Sequence, residues 1–158
     1  MSPTDRRRYQ LMDRGLKNRR WICTFVVIAG AVVVDDQFTK ALAAQSGAVA
    51  GNPALAFGVV EGSARLLSLG MIVVLIAFLR FIAPRAAALG IWPAVPALIA
   101  GGMFANLVDR LRFGVTRDFI LTPWVTVNVA DLAVIAGAVG LFVAAVSQMY
   151  KLRDTLRA

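Results

Sequence analysis

Residues 125–146, VTVNVADLAVIAGAVGLFVAAV, run for 22 positions with a single ionisable side chain, Asp131. An α-helix rising 1.5 Å per residue needs about 20 apolar residues to cross the ~30 Å hydrocarbon core of a bilayer. Inside lipid the backbone must satisfy its own polar groups, so a run of this kind is confined to the helical state. Comparable apolar segments occupy residues 21–44, 64–83 and 89–108, and the last one extends over 125–150. The chain is 59% hydrophobic and only 16% charged, whereas a soluble domain is nearer half and a quarter. These features predict an all-α integral membrane protein, a four-transmembrane-helix bundle with a small extracytoplasmic loop region. Residues 1–20 read as a basic cytoplasmic tail, 21–150 as one membrane domain and 151–158 as a second cytoplasmic tail.

The first apolar segment is short. Its uncharged part, residues 21–34, covers only about 21 Å at 1.5 Å per residue, so the DDQFTK that follows must lie near one membrane face. Pro93 and Pro96 fall in the first turns of the third span, where a missing N–H costs least. The opening resembles a secretory leader, basic and then apolar, yet no clean cleavage box follows; an uncleaved first span is expected. Cys23 stands at the start of the apolar stretch instead of ending it, so a lipoprotein leader is not expected, and as the sole cysteine it permits no internal disulfide.

A net charge of +8 in a soluble protein would suggest nucleic acid. Here the basic residues flank the spans, so they report topology and contact with anionic lipid, and no nucleic-acid partner is expected. Arg6, Arg7, Arg8, Arg14, Lys17, Arg19 and Arg20 precede the first span, Arg80 and Arg85 lie between the second and third, and Lys151, Arg153 and Arg157 follow the fourth. Against these twelve, the opposite face carries Lys40, Arg65, Arg110, Arg112 and Arg117. Basic residues favour the inner side, which puts both termini in the cytoplasm. Trp21, Trp92 and Tyr150 then mark the inner interface and Trp124 the outer one.

With that topology every polar cluster falls on the outer side: DDQFTK after the first span, GNPALAFG in the first outer loop, ANLVDR at the end of the third span, Asp118 in the second outer loop and NVAD at the start of the fourth. Asp36, Asn106, Asn128 and Asp131 lie on the spans themselves, and intramembrane polar residues of this kind mark function. Asn128 and Asp131 share a helix face, as do Asn106, Asp109 and Arg110. Gly101, Gly102 and Ala105 give the third span small residues that let a neighbour come close. The sequence has no histidine, which removes Ser/His and Cys/His catalysis and the usual zinc sites.

Hydrolysis would therefore rest on carboxylates. If Asp118 folds back over the start of the fourth span it approaches Asp131, and two adjoining carboxyl groups share one proton. The ionised one can activate water while the protonated one polarises a carbonyl, without metal or cofactor. Blander readings exist for each residue. Asp118 can be a solvated loop residue, Asp131 a helix cap (a role Asn128 already offers), Asp109 with Arg110 an interfacial solvated pair, and Asp36 with Lys40 a plain i,i+4 ion pair.

Taken in order, DQFTK, NPALAFG, GGMFANLVDR, DFI and NVAD resemble the motifs of lipoprotein signal peptidase (signal peptidase II), a family of four-span aspartyl proteases of bacterial inner membranes; the resemblance covers roughly residues 21–150. It implies that Asp118 and Asp131 are the catalytic pair and that Asp36, Asn52, Asn106, Arg110 and Asn128 shape the site or hold substrate. It also implies removal of signal peptides from diacylglyceryl-modified prolipoproteins just before the lipidated cysteine, with those prolipoproteins and membrane lipids as partners; a monomer is expected. The sequence departs from the family pattern at Ala54 and Ala105 (usually Gly), at Val127 and Leu132 (usually Phe and Ser), at Asp35, and at Arg117, where an aliphatic residue is usual. Neighbours in an extended segment point oppositely, so Arg117 is expected to face lipid headgroups and leave Asp118 inward. Two other classes compete: a small proton-coupled transporter relaying through Asp36, Asp131 and Arg110, and a catalytically idle paralogue that binds lipoproteins.

Overall fold

A computed structural model of the chain describes residues 3–53 and 63–155, and the side chains of residues 15–53, 63 and 65–155. The segment Ala54–Gly58 of the NPALAFG motif therefore lies outside the described residues, as does Arg157. The helices are α1 (Pro3–Gln45), α2 (Ala64–Ala77), α3 (Ala83–Ala88), α4 (Ala94–Phe113) and α5 (Val129–Thr155), with short strands β1 (Ala50–Asn52), β2 (Thr116–Asp118), β3 (Ile120–Leu121) and β4 (Thr126–Val127). Four stretches are long and apolar enough to span a membrane: Gly15–Gln45, Arg65–Ala88, Ala94–Phe113 and Val129–Thr155. The four-span bundle expected from the apolar runs is present.

Its boundaries differ from the sequence reading for local reasons. Helix α1 continues without a break from the basic segment into the membrane run. The second span is α2 and α3 joined by a π turn, Phe78–Ile82, in which the Ala83 N–H reaches back to Phe78 O. That wider turn immediately precedes Pro84, whose ring would otherwise collide with a carbonyl one turn earlier. Gly90, at φ +68°, closes α3, so the third span starts at Ala94 with Pro93 as its cap and runs on to Gly114, whose left-handed conformation (φ +76°) ends it. The fourth span starts at Val129 because Thr126 and Val127 pair as β4 with β3.

Burial is inverted relative to a soluble protein. Val27, Val34, Phe38, Leu66, Val73, Phe142 and Met149 are exposed, while Asp36, Lys40, Asn106, Asp109, Arg110, Asp118 and Asn128 are buried. A bilayer solvates the first set, so the second must be satisfied by partners inside the bundle. Helix α4 is the most enclosed, packed between α1 and α5 with α2 against it. Leu75, Phe78, Ala83, Ile99, Ala100 and Leu107 form the apolar core, and Trp21 donates to Ile91 O at 2.9 Å, tying α1 to the segment before α4.

Gly101 and Gly102 differ by about 100° around the helix and serve two neighbours. A Cβ on Gly101 would lie 2.7 Å from Ala29 O of α1; one on Gly102 would meet the Ala130 carbonyl of α5 and sit 2.7 Å from Val134 Cγ2. Both obstacles include backbone, so Gly102→Ala must push α5 away and should destabilise by about 1–3 kcal/mol. Gly70→Ala, with nothing within 4 Å, should leave the melting temperature unchanged or slightly raised. Thermal unfolding in detergent compares the two.

Candidate active site

The first turn of α5 organises the polar cluster. Asn128 Oδ1 accepts from the Asp131 N–H at 2.9 Å, and Asp131 Oδ2 accepts from the Asn128 N–H at 3.2 Å. This reciprocal pair is a capping box with amide and carboxylate in place of hydroxyl and glutamate. Asp36 Oδ1, arriving from α1, takes the Ala130 N–H at 2.9 Å. Three of the N–H groups that a helix leaves open at its start are thus met by side chains, and the positive end of the helix favours the carboxylates gathered there. The capping expected of Asn128 is observed, and Asp131 takes part in it as well.

Asp118 reaches the same place from the loops. β2 pairs antiparallel with β1, Ala50 opposite Asp118 and Asn52 opposite Thr116. The Asp118 carboxylate accepts from Asn52 Nδ2 at 2.9 Å and from Asn128 Nδ2 at 2.6 Å. Asn106 of α4 donates its Nδ2 to Asp131 Oδ1 at 2.8 Å and receives the Asn128 amide at 3.1 Å. Asn128 therefore touches both aspartates. Asp118 is 1% exposed and Asp131 only half-buried, so the pair is open on the Asp131 side. Burial pushes the Asp118 carboxyl above the usual carboxylate range; the Asn52 and Asn128 amides and the Lys40 charge oppose this, and the nearby Asp131 charge adds to it.

The cations are placed differently from the sequence expectation. Arg117 does alternate with Asp118, but it does not face lipid headgroups. Its Nη2 lies 2.8 Å from Asp109 Oδ1 and 3.0 Å from Gln37 Oε1, its guanidinium covers the Phe113 ring at 4.4 Å, and its backbone N–H donates to Asp109 Oδ2 at 3.0 Å. A buried carboxylate within reach outweighs the solvated surface. Asp109 and Arg110 are likewise no solvated pair: both are buried, and Arg110 Nη1 donates to Pro53 O at 3.1 Å, holding the end of β1, within electrostatic reach of Asp118 and Asp131. Asp36 and Lys40 do form the i,i+4 ion pair, at 2.7 Å, and both are completely buried.

The structure thus gathers Asp36, Asn52, Asn106, Arg110, Asp118, Asn128 and Asp131 in one cluster. Sequence reasoning left out Lys40, Gln37 and Asp109 as members. For Gln37 and Lys40 the signal was available in DDQFTK, where Lys40 follows Gln37 by three positions and Asp36 by four, and for Asp109 in ANLVDR, where it follows Asn106 by three. Among the described residues no three His, Cys, Asp or Glu side chains form a metal-binding group, and each carboxylate here already has an amide, ammonium, guanidinium or backbone N–H partner. Val127, paired with Ile120 of β3, is buried, and Leu132 is exposed.

Comparison with known proteins places these residues in context. The model of the signal peptidase (SPase) II family matches residues 27–147. Lipoprotein signal peptidase of Moorella thermoacetica is 33% identical over 92 residues, covering 56% of this chain and 59% of that protein. That of Halothermothrix orenii is 36% identical over 88 residues (55% and 60%), and that of Leifsonia xyli 36% over 139 residues (73% and 63%). The chain spans about three fifths of the length of these curated relatives. A bacterial membrane enzyme solved in meso at 2.3 Å superposes with a TM-score of 0.69 at 22% identity, over 81% of this chain and 90% of that one; a second, at 1.9 Å, gives 0.64 at 23%, over 78% and 92%. The fold is theirs.

Proposed function

Because the chain belongs to the signal peptidase II family, we propose that this multi-pass membrane peptidase is an aspartyl endopeptidase that removes signal peptides from diacylglyceryl-modified prolipoproteins, cutting before the lipidated cysteine. The observation that carries the reading is that one amide, Asn128, binds Asp118 through its side chain and Asp131 through both its side chain and its backbone. Two carboxyl groups held to one residue, one of them pushed toward its neutral form by burial, suit a shared proton. The ionised partner takes a proton from water as the oxygen attacks the scissile carbonyl, and the protonated partner donates to that carbonyl oxygen. Collapse of the tetrahedral intermediate breaks the C–N bond: one hydroxyl proton returns to the carboxylate that had donated it, and the proton first taken from water passes to the departing amine. No metal or cofactor enters this scheme.

Asn106 and Asn128 would fix the carboxyl groups, Asn52 would hold Asp118, Asp36 would keep the α5 terminus in place, and Arg110 would orient the loop around substrate. The basic residues at both chain ends support cytoplasmic termini, a site near the extracytoplasmic face of a bacterial inner membrane, and contact with anionic lipid. The polar side chains crowd one end of the bundle, which suits a peptidase working at the membrane surface better than a transporter with groups spread through the bilayer. A monomer suffices, since both aspartates come from one chain.

The test is purified protein in detergent, given a prolipoprotein with and without its diacylglyceryl group. Release of signal peptide from the lipidated precursor, with the unmodified one left intact, is expected. Cleavage of neither would point to the idle paralogue, and equal cleavage of both would remove lipid from the recognition.

A further inference from the structure

Lys40 has the largest side chain among those the described fold closes off completely, and the reaction scheme above makes no use of it. A primary ammonium has three N–H donors. Here they meet Asp36 Oδ2 at 2.7 Å, Asp109 Oδ2 at 3.0 Å and Asn106 Oδ1 at 3.0 Å. Each acceptor leads directly to the aspartate pair. Asp36 turns its other oxygen to the N–H of Ala130, the residue before Asp131. Asn106, with its oxygen held by Lys40 and by Asn128, must present its NH₂ to Asp131 Oδ1. Asp109 binds the N–H of Arg117, the residue before Asp118.

We propose that Lys40 is a positioning residue for peptide hydrolysis: one buried ammonium sets the Asn106 amide and the α5 terminus that locate Asp131, and the Asp109 anchor that locates the strand carrying Asp118. The inference rests on the aspartyl reading. A flipped Asn106 would turn its NH₂ toward the ammonium and its oxygen toward the Asp131 carboxylate, so the cation excludes that arrangement. Asp36, Asp109, Lys40 and Arg117 together balance two charges of each sign, which is how a buried cluster of this size is tolerated. The charged groups facing the pair are Lys40 and Asp36 from α1 and Arg110 from α4, with Asp109 acting on Arg110 and Lys40 behind them. Of these, Lys40 favours the ionised form of Asp118.

The experiment is Lys40→Met in the full chain, with kcat, KM and the pH profile measured on the lipidated precursor. Loss of positioning predicts a kcat lower by about 100-fold with KM within about threefold. Removing a cation disfavours an ionised carboxylate, so the acidic limb should move upward by about half a pH unit or more. Should Lys40→Met fail to give a cooperative unfolding transition, Lys40→Met/Asp36→Asn removes one charge of each sign and keeps an amide oxygen for the Ala130 N–H; the same kcat loss is expected. A folded variant with kcat within threefold of the parent overturns the proposal, as does a rise in KM alone or an unmoved acidic limb in Lys40→Met. Asp118→Asn and Asp131→Asn run alongside. If they stay active the aspartyl reading fails; if they are dead while Lys40→Met turns over normally, only the role of Lys40 fails.

Discussion

Asp118→Asn and Asp131→Asn are each expected to lower the rate of signal-peptide release by at least about 10⁴-fold, with the double variant scarcely slower than either alone. Groups that share one proton act as a unit, so removing either removes the acid–base cycle. The geometry makes the substitutions informative. An asparagine in place of Asp118 still accepts one of the two amides, from Asn52 or Asn128, that bind the carboxylate. The linkage of Asp118 to stability gives an independent sign that the variant is folded. Burial raises its folded pKa above the unfolded value, so its contribution to stability is complete below the ordinary carboxylate range and is lost as pH rises through the raised value. The substituted amide cannot titrate. The melting temperature of Asp118→Asn relative to the parent should therefore climb from about pH 4 upward, and a constant offset across that range would mean that the carboxyl is not shifted. Activity surviving in either single variant would take that residue out of the pair.

Asn128→Ala is expected to lose about 10²–10³-fold in kcat, more than any substitution tested outside the pair. Its side chain donates to Asp118 at 2.6 Å and to Asn106 at 3.1 Å and accepts the Asp131 N–H at 2.9 Å. Alanine removes all three, freeing Asp118 on one side and uncapping α5 on the other. A capping role alone predicts a lower melting temperature with kcat nearly intact. Loss of kcat beyond what reduced folded fraction explains, read from kinetics well below the unfolding transition, assigns the amide to the chemistry.

The spans were legible because apolar length is a coarse and additive signal: residues 21–44, 64–83, 89–108 and 125–150 each overlap the helix that forms. Their ends were not, since Pro84, Gly90 and the two-residue strand β4 act locally and override the apolar count. The cluster was half legible. Asn128 with Asp131 and Asp36 with Lys40 are short-range helix pairs whose spacing fixes their geometry. The β1–β2 pairing joins residues more than sixty positions apart through three-residue strands, too short to show a period. That pairing decides which way Arg117 turns. Alternation along β2 separates Arg117 from Asp118, but the partner of Arg117, the buried Asp109, lies on another element, α4, which strand spacing does not reveal. Gly101 and Gly102 read in sequence as one small face, and the fold sets them against two neighbours, α1 and α5.

The central claim, that two carboxyl groups sharing a proton perform the hydrolysis, is tested most directly by the rate of release from a lipidated prolipoprotein across pH, with and without a metal chelator. A bell is expected whose limbs belong to the pair: the acidic one marks loss of the ionised base, the alkaline one loss of the protonated acid, and chelator moves neither. Activity abolished by chelator and restored by added metal would contradict the account.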